Sequence, residues 1–291
     1  MTPIRQYLAT GLTVLSATAA LLLASCSGSK NADPQAQALL DGANQAFTAA
    51  DYTLATSLLD SLQKTFPGEI ALQKEAMALR PKVIEKATLL QISTNDSLTA
   101  LCHLTADQMK GKLKWVKEPQ MVEGFYVASG SYNPSFMNST GIQGRVSEIG
   151  EFYIVSSARP AVGHTSIALS AGSASAATPA VPYDGESNYR IDGGEVITFS
   201  PQQSDTIGQF ALANTGRPLT LSFRGKRTSD RKLSADQVTD IADAYAYASA
   251  ITQARRLAAE RQRLEATLQV ARNQMARTDT SIEKTEEAEA K

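Results

Sequence analysis

The chain has 291 residues, with 28 Lys and Arg against 29 Asp and Glu, for a formal charge of -1. That balance leaves no electrostatic footprint for nucleic acid, and two Cys are too few for a disulfide-stapled scaffold. The length suits one large or two small domains.

The N-terminus carries one charge, Arg5, before Lys30, and an apolar stretch from Leu12 to Ala24. A short basic start followed by an apolar run too short to span a bilayer comfortably is the layout of a secretory signal. The run ends in Leu23-Ala24-Ser25-Cys26. This tetrapeptide resembles the bacterial lipobox. The resemblance implies a signal peptide over 1–25, lipidation of Cys26 with cleavage before it, and a lipidated tether over 26–33. Several acyl chains anchor stably where one is marginal. Ser27 stands where an Asp would retain a Gram-negative lipoprotein at the inner membrane, so the resemblance implies the outer membrane. The run after Cys26 has one acid, Asp33, which favours the periplasmic face over the cell surface. With Cys26 acylated, Cys102 has no disulfide partner.

A helical region is expected over 34–110. Asp33-Pro34 supplies an N-cap acid and a first-turn proline. Leu39, Leu40, Ala43, Ala46 and Phe47 form one apolar face, and Ala55, Leu58, Leu59 and Leu62 another, with Pro67-Gly68 ending the pair. Ala43, Tyr52, Ala55, Leu59 and Pro67 make 34–67 resemble a single tetratricopeptide repeat, although Gly42 and Ala46 stand where larger residues are usual. One repeat cannot build the concave surface of an array. The helical pattern resumes at Glu69 through Leu72, Ala76, Leu79, Val83 and Leu90 to Leu98, Leu101 and Met109, with Pro81 either kinking one helix or starting another.

Residues 111–230 change character, with much Gly, Ser, Thr and Tyr. Strands are expected at Gly124–Ala128, Glu151–Ser156, Thr165–Ser170, Glu195–Phe199 and Leu219–Phe223, with turns at Asp184-Gly185 and Asp192-Gly193-Gly194 and a short helix at Ser204–Leu212. The expectation is an antiparallel β-rich, sandwich-like domain.

Residues 231–283 are expected to form one long helix. Ser234 and Gln237 make a capping box, and Leu264, Leu268, Ala271, Met275 and Ile282 repeat as a coiled-coil seam. The acidic end, 284–291, is expected to be a disordered tail. The fold class is therefore α+β, with the long C-terminal helix packing back on the N-terminal helices. In detail, Leu90, Leu98 and Leu101 should face Ile241, Tyr245, Ala248 and Ile251, and the far part of the helix should reach Leu59 and Leu62. The expected state is a monomer. The rival arrangement is a dimer zipped through Leu264, Leu268 and Met275.

Chemistry is sparse. His103 and His164 are the two His, and His103 beside Cys102 is a poor chelating pair, so neither metal nor cofactor is expected. No G-x-S-x-G, G-x-G-x-x-G or P-loop pattern occurs, and Asp192 with Glu195 is more simply a hairpin. Two surfaces are candidates for binding. One is the aromatic run Tyr126, Tyr132 and Phe136, suited to sugar or peptide. The other is the Arg-rich face of the last helix, Arg255 to Arg277, suited to headgroups or cell-wall polymer. Asp60-Ser61-Leu62, Asp96-Ser97-Leu98 and Asp205-Thr206-Ile207 resemble the acceptor of a periplasmic O-glycosylation system, which implies modification at Ser61, Ser97 and Thr206. The expected function is a non-enzymatic, membrane-anchored envelope scaffold or interaction module, with an envelope protein or cell-wall glycan as partner. The alternative is a carbohydrate- or peptide-binding lipoprotein using the Tyr132 and Phe136 loop.

Overall fold

The computed structural model describes residues 32–119 and 121–289, with side chains as far as 278. Cys26, the leader and most of the tether lie outside the described residues.

Helix α1, Pro34–Thr48, begins where the Asp33 carboxylate accepts the Gln35 N–H at 2.8 Å. Its buried positions Ala36, Leu40, Ala43 and Ala46 follow the helical period. Ala50 turns the chain at φ 61, and Asp51 caps α2, Tyr52–Thr65, by accepting the Leu54 N–H. Helix α3, Ile70–Lys110, then covers the hairpin: Leu72, Ala76, Leu79 and Val83 complete a core with the fully buried Leu59 and Leu62. Pro81 neither ends nor restarts the helix. It sits buried within one continuous α3 of 41 residues.

The β-domain follows directly. Strands β1 (Leu113–Val116), β2 (Phe125–Ala128), β3 (Gly141–Ser147), β4 (Phe152–Ala158), β8 (Gly194–Phe199) and β7 (Asn188–Ile191) form one antiparallel sheet in that order. Strands β10 (Ser229–Leu233), β9 (Leu219–Gly225), β5 (His164–Ala171) and β6 (Ala174–Ala177) form the second. The β7–β8 hairpin closes through Asp192 (φ 46) and Gly193 (φ 78), the two positive φ values of a type I′ turn. Helix α4, Pro201–Ala213, carries a capping box of Ser200 and Gln203. Both sheets and α4 share one core, built around Ile154, Phe199, Ile167, Leu221, Phe223 and Ile207.

Helix α5, Ala235–Glu289, starts at the Ser234 and Gln237 capping box. It continues helically through the acidic 284–289 run. Its first turns belong to the β-domain: Val238, Ile241, Ala242, Ala244, Tyr247 and Ala248 are buried there. The helix then leaves the domain and runs antiparallel along α3. Lys112 meets Asp243 at 2.9 Å, the Asn95 amide donates to the Leu257 carbonyl at 3.0 Å, Arg261 meets Asp96, and Arg272 meets Glu85 at 2.9 Å. Leu257, Leu268 and Ala271 are buried in the seam, and Leu264 and Met275 are half-buried.

Two expectations about this pairing are corrected. Ile241, Ala248 and their neighbours fill the β-domain core instead of meeting α3, and Leu90, Leu98 and Leu101 point outward at 60, 45 and 50% exposure. The face of α3 turned to α5 carries Thr88 and Asn95, at 3 and 5% exposure. A buried amide is tolerated there because it has a carbonyl to bond, so leucine spacing alone pointed to the wrong face. The far part of α5 meets Glu85 of α3, while Leu59 and Leu62 are covered by α3 itself.

Candidate functional site

The aromatic run is largely an anchor. Phe136 is 7% exposed and packs on Val155 and Val196, while Tyr132 is half-buried with the Lys114 ammonium 3.6 Å above its ring. Tyr126 packs between Trp115, whose ring is tilted against it, and Tyr247, which it meets edge to face. Beneath this loop lies Arg145, whose guanidinium sits 4.0 Å from the Phe125 ring and 5.7 Å from that of Phe136. Its Nε donates to Gln143 at 2.6 Å, and Gln143 donates to the Ser131 carbonyl at 2.7 Å. Burial lowers the Arg145 pKa, opposed by Tyr153. Ser157 reaches the Met137 and Ser139 carbonyls, so the loop is pinned at several points.

The glycosylation-like sites lie on three different helices. Ser61 and Ser97 donate to the carbonyls one turn back, at 2.9 and 3.0 Å, and Thr206 is exposed. Each motif's Asp has a tertiary partner: Asp60 holds Arg80, Asp96 holds Arg261, and Asp205 accepts the Tyr245 hydroxyl at 2.7 Å. The Arg-rich face of α5 is partly engaged by the stalk, through Arg261 and Arg272, and by Glu260, which holds Arg263. Cys102 is half-buried, which pushes its thiol pKa up. Among the described residues no group of three or more His, Cys, Asp or Glu is placed to hold a metal.

The most organised polar cluster is one that sequence spacing did not single out. Glu195 of β8 and Ser156 of β4 stand on the large sheet, and His164 opens β5 on the small one. His164 Nδ1 lies 2.5 Å from Glu195 Oε1, and His164 Nε2 lies 2.8 Å from Ser156 Oγ. Glu195 also accepts the backbone N–H groups of Val162, Gly163 and His164 at 2.9–3.1 Å. Burial pulls the His164 pKa down against the pull of Glu195. The ring is therefore neutral, donating from Nδ1 and accepting the Ser156 O–H at Nε2. Burial alone would raise the Glu195 pKa, but the hydrogen bonds from His164 and the loop N–H groups outweigh it and bring the pKa down. The order Ser–His–Glu is that of a nucleophilic triad. Ser156, however, is 0% exposed. In this arrangement its hydroxyl has no space for an acyl carbon, and the cluster ties the two sheets at the corner where the chain crosses between them.

That corner forms the floor of an open cleft of about 750 Å³. Gly225 lies in the floor, where the close approach of the Gly163 carbonyl oxygen, 2.0 Å from where a Cβ would stand, leaves room for glycine alone. Asn188 forms part of the wall, its amide donating to the Val181 carbonyl at 2.8 Å. Tyr183, Arg190 and Lys226 complete the lining, and Tyr183 is 66% exposed. Only alternation could have flagged Glu195 as inward-facing on β8. Nothing in sequence joins it to His164, 31 residues away, because the contact exists only once the two sheets pack. No protein-family model matches the chain, and no match was found among curated proteins or solved structures.

Proposed function

We propose that this chain is a non-enzymatic lipid-anchored envelope protein, held at the outer membrane through Cys26: a stalk that presents a β-domain to a partner protein or cell-wall glycan. The observation that carries this reading is the position of the two ends. The chain leaves the tether at Asp33 beside a hairpin packed on Leu72 to Val83 of α3, and the β-domain begins at Leu113, beyond the other end of that helix. Between Val83 and Lys110 the helix rises about 40 Å at about 1.5 Å per residue. An anchor at one end and a folded domain at the other make a spacer. Support for a non-catalytic role comes from Ser156, whose hydroxyl is enclosed. Ser27 supports the outer membrane, and the single acid in the tether supports its periplasmic face. The test is Cys26→Ala. It should abolish labelling by a fatty-acid probe and release the protein from the membrane fraction or leave it unprocessed; labelling equal to the native chain overturns the reading.

A binding role for the β-domain has its own support. An exposed aromatic stands beside a concave surface that carries Asn188, Arg190 and Lys226, at Tyr183 and not at the Tyr132 and Phe136 loop.

A further inference from the structure

The open corner of the β-domain carries features that its folding does not require. Arg190 and Lys226 line the cleft, and among the described residues neither side chain makes a hydrogen bond or ion pair. Five cations outside the cleft, Arg80, Lys112, Arg261, Arg263 and Arg272, hold carboxylates, whereas these two share one concave surface with no side-chain partner among the described residues. Tyr183 is 66% exposed, whereas Trp115, at 38%, is the other aromatic left substantially open among the described residues. An aromatic face in water beside polar groups is the usual platform for a sugar ring.

The charge in the cleft narrows the ligand further. Glu195 lies in the floor and keeps its negative charge, although its oxygens are occupied by three backbone N–H groups and His164. The neutral His164 adds none. Two cations over one carboxylate leave about one positive charge, which suits a monoanion better than a dianionic phosphate. Arg190 offers the planar fork that matches a carboxylate. Asn188 has its amide committed to Val181, which leaves its carbonyl to accept a hydroxyl.

We infer that this cleft binds a carboxylate-bearing saccharide, with the sugar ring on Tyr183 and the carboxylate between Arg190 and Lys226. The inference deepens the binding role given to the β-domain above and rests on it.

The test uses the detergent-solubilised full chain, with polygalacturonate, hyaluronate and dextran as probes in affinity electrophoresis. Retardation is expected in one or both acidic polymers and not in dextran, and it should weaken as salt rises. Tyr183→Ala and the double variant Arg190→Ala with Lys226→Ala should each lower affinity about tenfold or more, with the melting temperature unchanged. Retardation in dextran that Tyr183→Ala removes overturns the carboxylate assignment and leaves the binding role standing. Retardation in none of the three overturns the saccharide, and capture of peptides through the same residues would then assign the cleft to a peptide. Acidic-polymer binding that survives both variants overturns the site.

Discussion

His164 of the small sheet donates its Nδ1–H to Glu195 of the large sheet across 2.5 Å, and this buried contact should make the β-domain sensitive to acid. Burial holds His164 below its ordinary 6.5. The unfolded chain therefore takes up a proton below about pH 6.5 that the folded chain refuses, and stability falls as pH drops from there. The Glu195 pKa is also lowered, from an ordinary 4.5. Its contribution is whole above about pH 4.5 and is lost as pH falls towards the folded value. The melting temperature should be level from pH 8 to 7 and decline in two stages below. His164→Gln should remove the first stage while costing stability at pH 7.5. An unchanged drop between pH 7 and 5.5 in that variant would show that another group is responsible. Glu195→Ala, which strands three N–H groups and a ring N–H, should cost about 3 kcal/mol or more at pH 7.5.

The helix α4 contact with α5 depends on a missing side chain. A Cβ on Gly208 would lie 2.1 Å from Cδ2 of Tyr245, inside its ring's van der Waals surface. Gly208→Ala should destabilise by about 1–3 kcal/mol despite the better helix propensity of Ala, because the ring must shift. Gly141→Ala, where nothing lies within 4 Å, should stay within about 0.5 kcal/mol. Urea titrations of both variants check this. Combining Gly208→Ala with Tyr245→Ala should cost less than the two single changes together.

Much of this fold is legible in the sequence where one local signal decides. The Asp33-Pro34 start, the Ser234 and Gln237 capping box and the Asp192-Gly193 turn lie where spacing puts them. The five strands that pattern picks out all form, as β2, β4, β5, β8 and β9. The strands that pattern misses are of two kinds. Ala174–Ala177 and Ser229–Leu233 are edge strands, with little apolar side chain to bury, and Leu113–Val116 and Asn188–Ile191 are four-residue edges. Gly141–Ser147 is central, but it alternates through Gln143 and Arg145, whose burial depends on the loop folded over them. The site was less legible for the same reason: Ser156, His164 and Glu195 share no motif, and only tertiary packing unites them.

The stalk predicts which pairs can be joined. Asp96 and Arg261 are ion-paired across α3 and α5, so cysteines there, in a Cys102→Ser background, should crosslink within one chain using a short bifunctional reagent. Cysteines at Leu98 and Tyr245 should not, because Leu98 faces outward and Tyr245 packs on Gly208 of α4. Denaturing gels distinguish a compacted monomer from a dimer band. A dimer band from the first pair would mean that the α5 seam meets another copy.

The last prediction separates the two aromatic surfaces by stability. Phe136 is 7% exposed against Val155 and Val196, and it helps to cover Arg145. Phe136→Ala removes a buried ring and opens a charged group's surroundings, so a loss of about 3–5 kcal/mol is expected. Tyr132 is half-buried, with Lys114 stacked on it, and Tyr132→Ala should cost about 1 kcal/mol. Tyr183 is exposed, and Tyr183→Ala should stay within about 0.5 kcal/mol. Guanidinium unfolding of the three variants gives the order directly. If Phe136→Ala leaves stability intact while Tyr183→Ala unfolds the domain, the loop and the cleft have exchanged roles, and the Tyr132 and Phe136 loop becomes the surface to test against glycans.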